Sequence, residues 1–318
     1  DDPAFRNKYL SQVHEMQSNF QHHPAVLFWS IGNESAYGSN FKASYEYLKS
    51  TDTTRPVIYS YPGLAKQKGE KIYDILSMHY PGVDGNMEQY GMYTSAFQGH
   101  GIPAVFDEWA HPACYTYATL RNDPNIREFW GKSLDLMWKG VFQSTGALGG
   151  AIWGYIDETF AVPQLKEGDD FWKEFARTAK PEGFRGDCVG YGEWGIVDVW
   201  RRLKPEFWAT KKAYTPVKLT QTHIADFAPG QKIYIEVLNR FDHTCLSELR
   251  AVYSYKGRSG NASLQAVEPH QKGLLTVPAQ QWAQGDSLNL QFFTPDGIMV
   301  DSYVITLGDA AINYPTGV

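Results

Sequence analysis

The chain has 318 residues, 43% of them apolar and 15% aromatic, enough for a sizeable core and for more than one domain. Its formal charge is −6 at pH 7, with the charges scattered, which excludes a basic face for nucleic acid and a charged tail. No apolar run is long enough to span a membrane, and the three cysteines, Cys114, Cys188 and Cys245, are too widely spaced for a metal knuckle and odd in number, so at most one bridge could form.

Asp2-Pro3 is a helix start, and Phe5, Tyr9, Val13, Met16 and Phe20 then recur at helical spacing. The His22-His23 pair reads as the end of that helix rather than as a metal site. Ala25–Ile31 is a continuous apolar run, predicted to be a strand buried on both faces, and it ends in Gly32-Asn33-Glu34-Ser35. Position alone leaves Glu34 open to two readings, a catalytic carboxylate at a strand end or an acidic residue opening the next helix. A helix over Ser39–Ser50, short strands at Val57–Ser60 and Asp74–Tyr80, a helix around Met87–Gln98 and a strand ending in Asp107-Glu108-Trp109-Ala110-His111 follow. Next come a helix over Asn125–Gln143 and a strand at Gly149–Tyr155.

This alternation predicts an α/β fold with a parallel sheet wrapped by helices. About five strands are legible, whereas a closed barrel of this type needs eight. An open doubly wound sheet would want a glycine-rich phosphate loop, and none follows any strand here. The irregular stretch Thr159–Tyr191 is expected to roof the site. Trp194–Asp198 and a helix carrying Trp208, Lys211 and Lys212 close this part. From Val217 the pattern changes to short alternating strands, Lys232–Leu238, Glu248–Tyr255, Leu288–Phe293 and Met299–Leu307, separated by Pro229-Gly230, Gly257–Asn261 and Asp296-Gly297. That reads as an antiparallel β-sandwich of roughly 100 residues. The expected division is residues 1–216 and 217–318.

Two strand ends thus present a glutamate, Glu34 and Glu108. Such a pair suits glycosidic hydrolysis, in which one carboxylic acid protonates the leaving oxygen and one carboxylate attacks the anomeric carbon. Ten Trp and twenty Tyr suit stacking on sugar rings, although packing accounts for most aromatics. A non-catalytic carbohydrate-binding or structural fragment stays open, and so does a metal-dependent hydrolase, which would bring His79, His111 and Asp107 to one point.

His23-Pro24, Trp29-Ser30-Ile31-Gly32-Asn33-Glu34-Ser35, Arg55-Pro56-Val57, Met78-His79-Tyr80, Asp107-Glu108-Trp109-Ala110-His111 and Gly149-Gly150-Ala151-Ile152-Trp153 together resemble glycoside hydrolase family 2, in its β-galactosidase branch. The resemblance implies a partial (β/α)8 TIM barrel, about strands 4–8, followed by an antiparallel Ig-like β-sandwich, and a chain that is the C-terminal part of a larger retaining exo-β-glycosidase. It implies Glu34 as acid/base, Glu108 as nucleophile, Asn33 on the sugar 2-hydroxyl, Tyr80 on Glu108, His111 on sugar hydroxyls and Trp153 as a platform under the ring. His79 lies in the adjacent register and is a further candidate for substrate binding. The implied partner is a carbohydrate, with neither nucleic acid nor membrane, and homo-oligomers occur in the family. No cofactor is required; a divalent cation such as Mg2+ would use Glu34 with ligands upstream of this chain. β-Galactosidase is the leading activity, ahead of β-glucuronidase and β-mannosidase.

Overall fold

In the computed structural model, residues 2–60, 72–82, 84, 101–111, 122–123, 125–161, 168, 170 and 188–308 are described. The helix expected near Met87–Gln98 and most of the predicted roof lie outside them. The chain divides into two compact units, Asp1–Ala213 and Tyr214–Val318.

The first unit opens with a 3-10 turn, Pro3–Phe5, whose Ala4 N–H is capped by Asp2 Oδ1 at 2.9 Å, and runs into helix α1, Arg6–Phe20. Strand β1 is Trp29–Asn33, helix α2 Ser39–Thr51, strand β2 Val57–Ser60, strand β3 Leu76–His79 and strand β4 Ala104–Trp109. Helix α3, Asn125–Gln143, and strand β5, Ala147–Ile152, complete the alternation. β1 pairs with β2, β3 with β4 and β4 with β5, all parallel, and a parallel bridge from Ile58 to Ile75 joins the two sets. The five strands are therefore consecutive staves with their C-terminal ends on one edge. Trp29, Ile31, Leu48, Val57, Tyr59 and Val13 pack together behind β1 and β2.

β1 differs from expectation at its start and on one face. It begins at Trp29 rather than Ala25, Leu27 is 71% exposed, and Ser30 is exposed as well. The cause is Arg55, which donates from Nε to the Val26 carbonyl at 2.9 Å and from a terminal nitrogen to the Gln21 carbonyl at 2.7 Å, holding the approach as an anchored linker. The Arg55 guanidinium also lies over the Trp29 ring and pairs with Asp52 at 2.9 Å, while Asp52 accepts the Trp29 indole N–H at 2.9 Å. Burial works against ionised Asp52, but its hydrogen bonds from Thr54, Trp29 and Arg55 hold its carboxyl far below the usual range.

Strand β6, Glu158–Ala161, pairs antiparallel with strand β7, Cys188–Gly192, so the two ends of the stretch read as irregular form a ladder. Helix α4, Pro205–Ala213, follows and holds Arg127 of α3 through Glu206 at 2.8 Å.

In the second unit, β8 (Val217–Leu219), β9 (His223–Ile224), β10 (Ile233–Asn239), β11 (Arg250–Tyr255), β12 (Arg258–Leu264), β13 (Lys272–Val277), β14 (Ser287–Phe293) and β15 (Met299–Leu307) run in the order β8-β10-β13-β12-β11-β14-β15-β9. All neighbours are antiparallel except β15 with β9. β12 pairs with β11 through Arg258–Ala262 and with β13 through Ser263 and Leu264, so it turns the corner between two halves that enclose one core. Ile235, Val237, Leu275, Leu288, Leu290, Phe292 and Ile305 alternate into that core. Four strands, β8, β9, β12 and β13, were not legible in the sequence. The residues 258–261 read as a turn belong to β12, because the turn is the tighter Lys256-Gly257 pair, with φ of +46° and +76°. That geometry fits a two-residue hairpin turn, which takes positive φ at both positions.

Among the described residues no helix is long and apolar enough to cross a membrane.

One close approach controls β4. A Cβ on Gly150 of β5 would meet the fully buried Trp109 ring at 2.1 Å, and Trp109 stacks on Phe106 and directly follows Glu108. Gly150→Ala is expected to destabilise the first unit by about 1–3 kcal/mol. A chemical denaturation midpoint indistinguishable from the parent's would show that Trp109 yields.

Candidate active site

Three non-glycine residues leave their strands in the left-handed region: Glu34 after β1, Tyr80 after β3 and Ala110 after β4, with φ of 45°, 46° and 50°. Left-handed backbone costs of order 1 kcal/mol or more per residue and persists where surroundings impose it. Here the ladder imposes it: Glu34 N–H donates to the Ser60 carbonyl at 3.2 Å, Tyr80 N–H to the Glu108 carbonyl at 3.0 Å and Trp153 N–H to the Trp109 carbonyl at 3.0 Å. Each side chain therefore leaves the sheet at its C-terminal edge. Tyr59 of β2 also donates to the Ser35 carbonyl at 2.5 Å, fixing the chain just past Glu34.

His79 stands at the centre, its side chain 2% exposed. Its Nδ1 lies 2.8 Å from Glu34 Oε1 and 3.8 Å from Glu108 Oε2, and its Nε2 lies 2.8 Å from Ser60 Oγ and 3.4 Å from Asp107 Oδ1. Tyr80 donates its hydroxyl to Glu108 Oε1, and Ser77 donates to Asp107 Oδ1. Ser60 donates to Asn33 Oδ1 at 2.8 Å. The Tyr80 ring contacts His111, which packs edge-on against Trp194 at 5.0 Å between centroids. Trp153 stands at the same sheet edge, 42% exposed, tied to its neighbours through backbone.

The structure thus brings Asn33, Glu34, His79, Tyr80, Glu108 and His111 together. Sequence reading passed over Ser60, Ser77 and Trp194; the available signal was that Ser60 ends a strand at the edge where Glu34 and Glu108 end theirs. Residues 112–121, which follow His111, lie outside the described residues.

The charges are arranged around the imidazole. Burial opposes a charge on His79, but hydrogen bonds to Asp107 and Glu34 and the charges of Asp107 and Glu108 hold its pKa above the usual histidine value. Asp107 moves the other way: burial would raise it, and hydrogen bonds from His79 and Ser77, with the His79 charge, bring it below the usual carboxylate range.

One oxygen each of Glu34 and Glu108 and one nitrogen of His79 lie within 4.8 Å of one another, the one metal-capable set among the described residues, and it includes neither His111 nor Asp107. Mg2+ takes oxygen donors in an octahedral array. Around Glu34 these residues offer an imidazole nitrogen and a carboxylate already hydrogen-bonded to Tyr80. By itself that set is not the all-oxygen array that Mg2+ takes.

Residues 1–219 match the family described as glycosyl hydrolases family 2, TIM barrel domain. The chain belongs to that family. It is similar to a β-galactosidase of Pectobacterium atrosepticum, 29% identical over 182 residues that cover 54% of this chain and 15% of that protein. A β-galactosidase of Priestia megaterium is 26% identical over 281 residues, covering 86% of this chain and 24% of that protein. The chain therefore spans no more than about a quarter of the length of these relatives. Among solved structures, a β-glucuronidase of an uncultured Clostridium sp. aligns with a TM-score of 0.45 at 16% identity, over 65% of this chain and 35% of that one.

Behind the family's barrel edge, Asp157 and Glu193, 5% and 7% exposed, share one cation: Lys204 donates to Asp157 Oδ1 at 2.7 Å and to the Glu193 carbonyl at 2.6 Å. Asp157 also accepts the Gly195 N–H at 2.8 Å, which pins the segment carrying Trp194. Burial, reinforced by the Asp157 charge, raises Glu193 from 4.5 to about 7. Between those values the folded state binds the extra proton, so stability falls as pH rises through the window and the penalty is complete above pH 7. Glu193→Gln should therefore be near neutral at pH 4.5 and stabilising at pH 8, by up to about 3 kcal/mol. Thermal unfolding at the two pH values checks this, and a difference independent of pH would contradict it.

Proposed function

We propose that this chain carries the catalytic centre of a retaining exo-β-glycosidase that removes terminal β-D-galactosyl residues. The observation that carries the reading is the convergence of Glu34 and Glu108, with carboxylate oxygens within 4.8 Å of each other. Retaining glycosidases hold their two carboxyl groups about 5–5.5 Å apart, whereas inverting enzymes leave about 6.5–9.5 Å for a water. The names of the relatives favour galactose among the sugars.

In the first step Glu108 attacks the anomeric carbon, the bond to the aglycone oxygen breaks, and Glu34 gives its proton to that oxygen. The Tyr80 hydroxyl on Glu108 Oε1 leaves Oε2 as the attacking atom. In the second step Glu34 takes a proton from water, the water oxygen attacks the same carbon, and Glu108 departs. Two inversions give retention. Asn33 takes the 2-hydroxyl, a contact worth most in the oxocarbenium-like transition state. His111 contacts further hydroxyls, and Trp153 offers an exposed indole face under the ring.

The test uses the full-length protein with a panel of aryl and alkyl β-galactosides, β-glucosides, β-glucuronides and β-mannosides. Glu34→Gln is expected to lower kcat/KM on alkyl galactosides by about 10²–10⁴-fold, and on dinitrophenyl galactoside far less, because that leaving group departs without a proton. Glu108→Gln should stop both, and the first sugar released by the parent should be the β-anomer. An α-anomer first product, or parent-like turnover by Glu108→Gln, would overturn the mechanism. Folded protein that cleaves no glycoside would favour binding without catalysis.

A further inference from the structure

Ser60 and the far side of the His79 ring have no part in the two-carboxylate chemistry, yet both are buried in the middle of it, Ser60 3% and His79 6% exposed. The hydrogen-bond arithmetic around them constrains the protons. His79 Nε2 faces two oxygens, Ser60 Oγ at 2.8 Å and Asp107 Oδ1 at 3.4 Å. A carboxylate only accepts, and Asp107 Oδ1 already takes the Ser77 hydroxyl, so Nε2 must carry a hydrogen. With Nε2 donating to it, Ser60 Oγ is filled as an acceptor and turns its own hydrogen to Asn33 Oδ1 at 2.8 Å. An amide whose oxygen is engaged inward shows its NH2 outward. On the other side of the ring, Nδ1 meets Glu34 Oε1 at 2.8 Å with a single proton between them.

We propose that Ser60 is a positioning residue, the middle link of a chain from His79 Nε2 through Ser60 Oγ to Asn33 Oδ1 that presents the Asn33 amide N–H groups to the sugar 2-hydroxyl. One imidazole then orients two neighbouring residues, Glu34 through Nδ1 and Asn33 through Ser60. The inference rests on the glycosidase reading for its substrate and on the hydrogen-bond pattern alone for its direction. Without the Ser60 hydroxyl, the Asn33 amide loses the partner that distinguishes its oxygen from its nitrogen, and both orientations become populated.

In the full-length protein, Ser60→Ala should lower kcat/KM on an aryl β-galactoside about tenfold, the scale of one lost hydrogen bond, and change that on the 2-deoxy analogue less than about threefold. Ser60→Thr, which keeps the hydroxyl, should restore most of the loss. Ser60→Ala combined with Asn33→Ala should be no slower than Asn33→Ala alone. Equal losses on both substrates, or additive losses in the double variant, would reduce Ser60 to a packing role and overturn the proposal. The ring nitrogens provide a readout that needs no turnover. Histidine 15N spectra, assigned with His79→Gln, should show a proton on Nε2 of His79 and a shift of that signal in Ser60→Ala. An Nε2 without a proton, or a signal blind to Ser60→Ala, overturns the chain even if no glycoside is cleaved, whereas inactivity with the expected spectra discards the glycosidase reading and leaves the chain standing.

Discussion

Parallel pairing of consecutive strands is the constraint on which the rest of the first unit depends. Because β1 to β5 point the same way, their C-terminal residues reach one edge together, although Asn33 and Trp153 are far apart in the chain. The ladder does not stop at the last strand residue. It continues into the backbone N–H groups of Glu34, Tyr80 and Trp153, so the residues that carry side chains into the site are themselves anchored to the neighbouring strand. Left-handed backbone at Glu34, Tyr80 and Ala110 then turns the chain away at once. An isolated loop would relax such conformations; a hydrogen-bonded strand end on each side does not allow it.

On that edge a single buried cation-forming group serves several acids. His79 touches Glu34, Asp107 and Glu108, and its charge is held by them against burial. Asp107 is the fixed member, held below the usual carboxylate range by His79 and Ser77. The same logic recurs behind the edge, where Lys204 is shared by Asp157 and the backbone of Glu193, but there the acids outnumber the cation and Glu193 keeps its proton up to about pH 7. A buried polar cluster is tolerated where each atom finds a partner, and the imbalance shows as a displaced pKa where one does not.

Much of this was legible from residue patterns. Helical spacing and the strand-ending motifs located α2 and α3 and four of the five strands to within about three residues, since apolar periodicity reports burial and burial decides these elements. The start of β1 was not legible, because the linker before it is as apolar as the strand and only a distant arginine, Arg55, tells them apart. β12 was hidden by its composition: Arg258-Ser259-Gly260-Asn261 looks like a turn, and it is a strand because β11 and β13 flank it. In the site, the residues that announce themselves are those with unusual chemistry after an apolar run. Ser60 does not announce itself; a serine closing a short strand has no signature, and its importance comes from what parallel pairing places on either side.

Under the proposed roles, the two glutamates differ in the way their tasks require. The Glu34 side chain is 51% exposed and its anchor is a single imidazole nitrogen, whereas the Glu108 side chain is 15% exposed and held by Tyr80. An acid/base must release a proton to an outgoing group and recover one from water, so it needs access and a partner with which a proton can be shared. A nucleophile must keep its charge and its aim until the anomeric carbon arrives, so it gains from enclosure and from a fixed donor on the oxygen that does not attack. When Glu108 becomes an ester its negative charge disappears from beside His79 Nδ1, 3.8 Å away. The imidazole then loses part of what stabilised its own charge. One histidine placed between both carboxylates therefore responds to the state of the nucleophile.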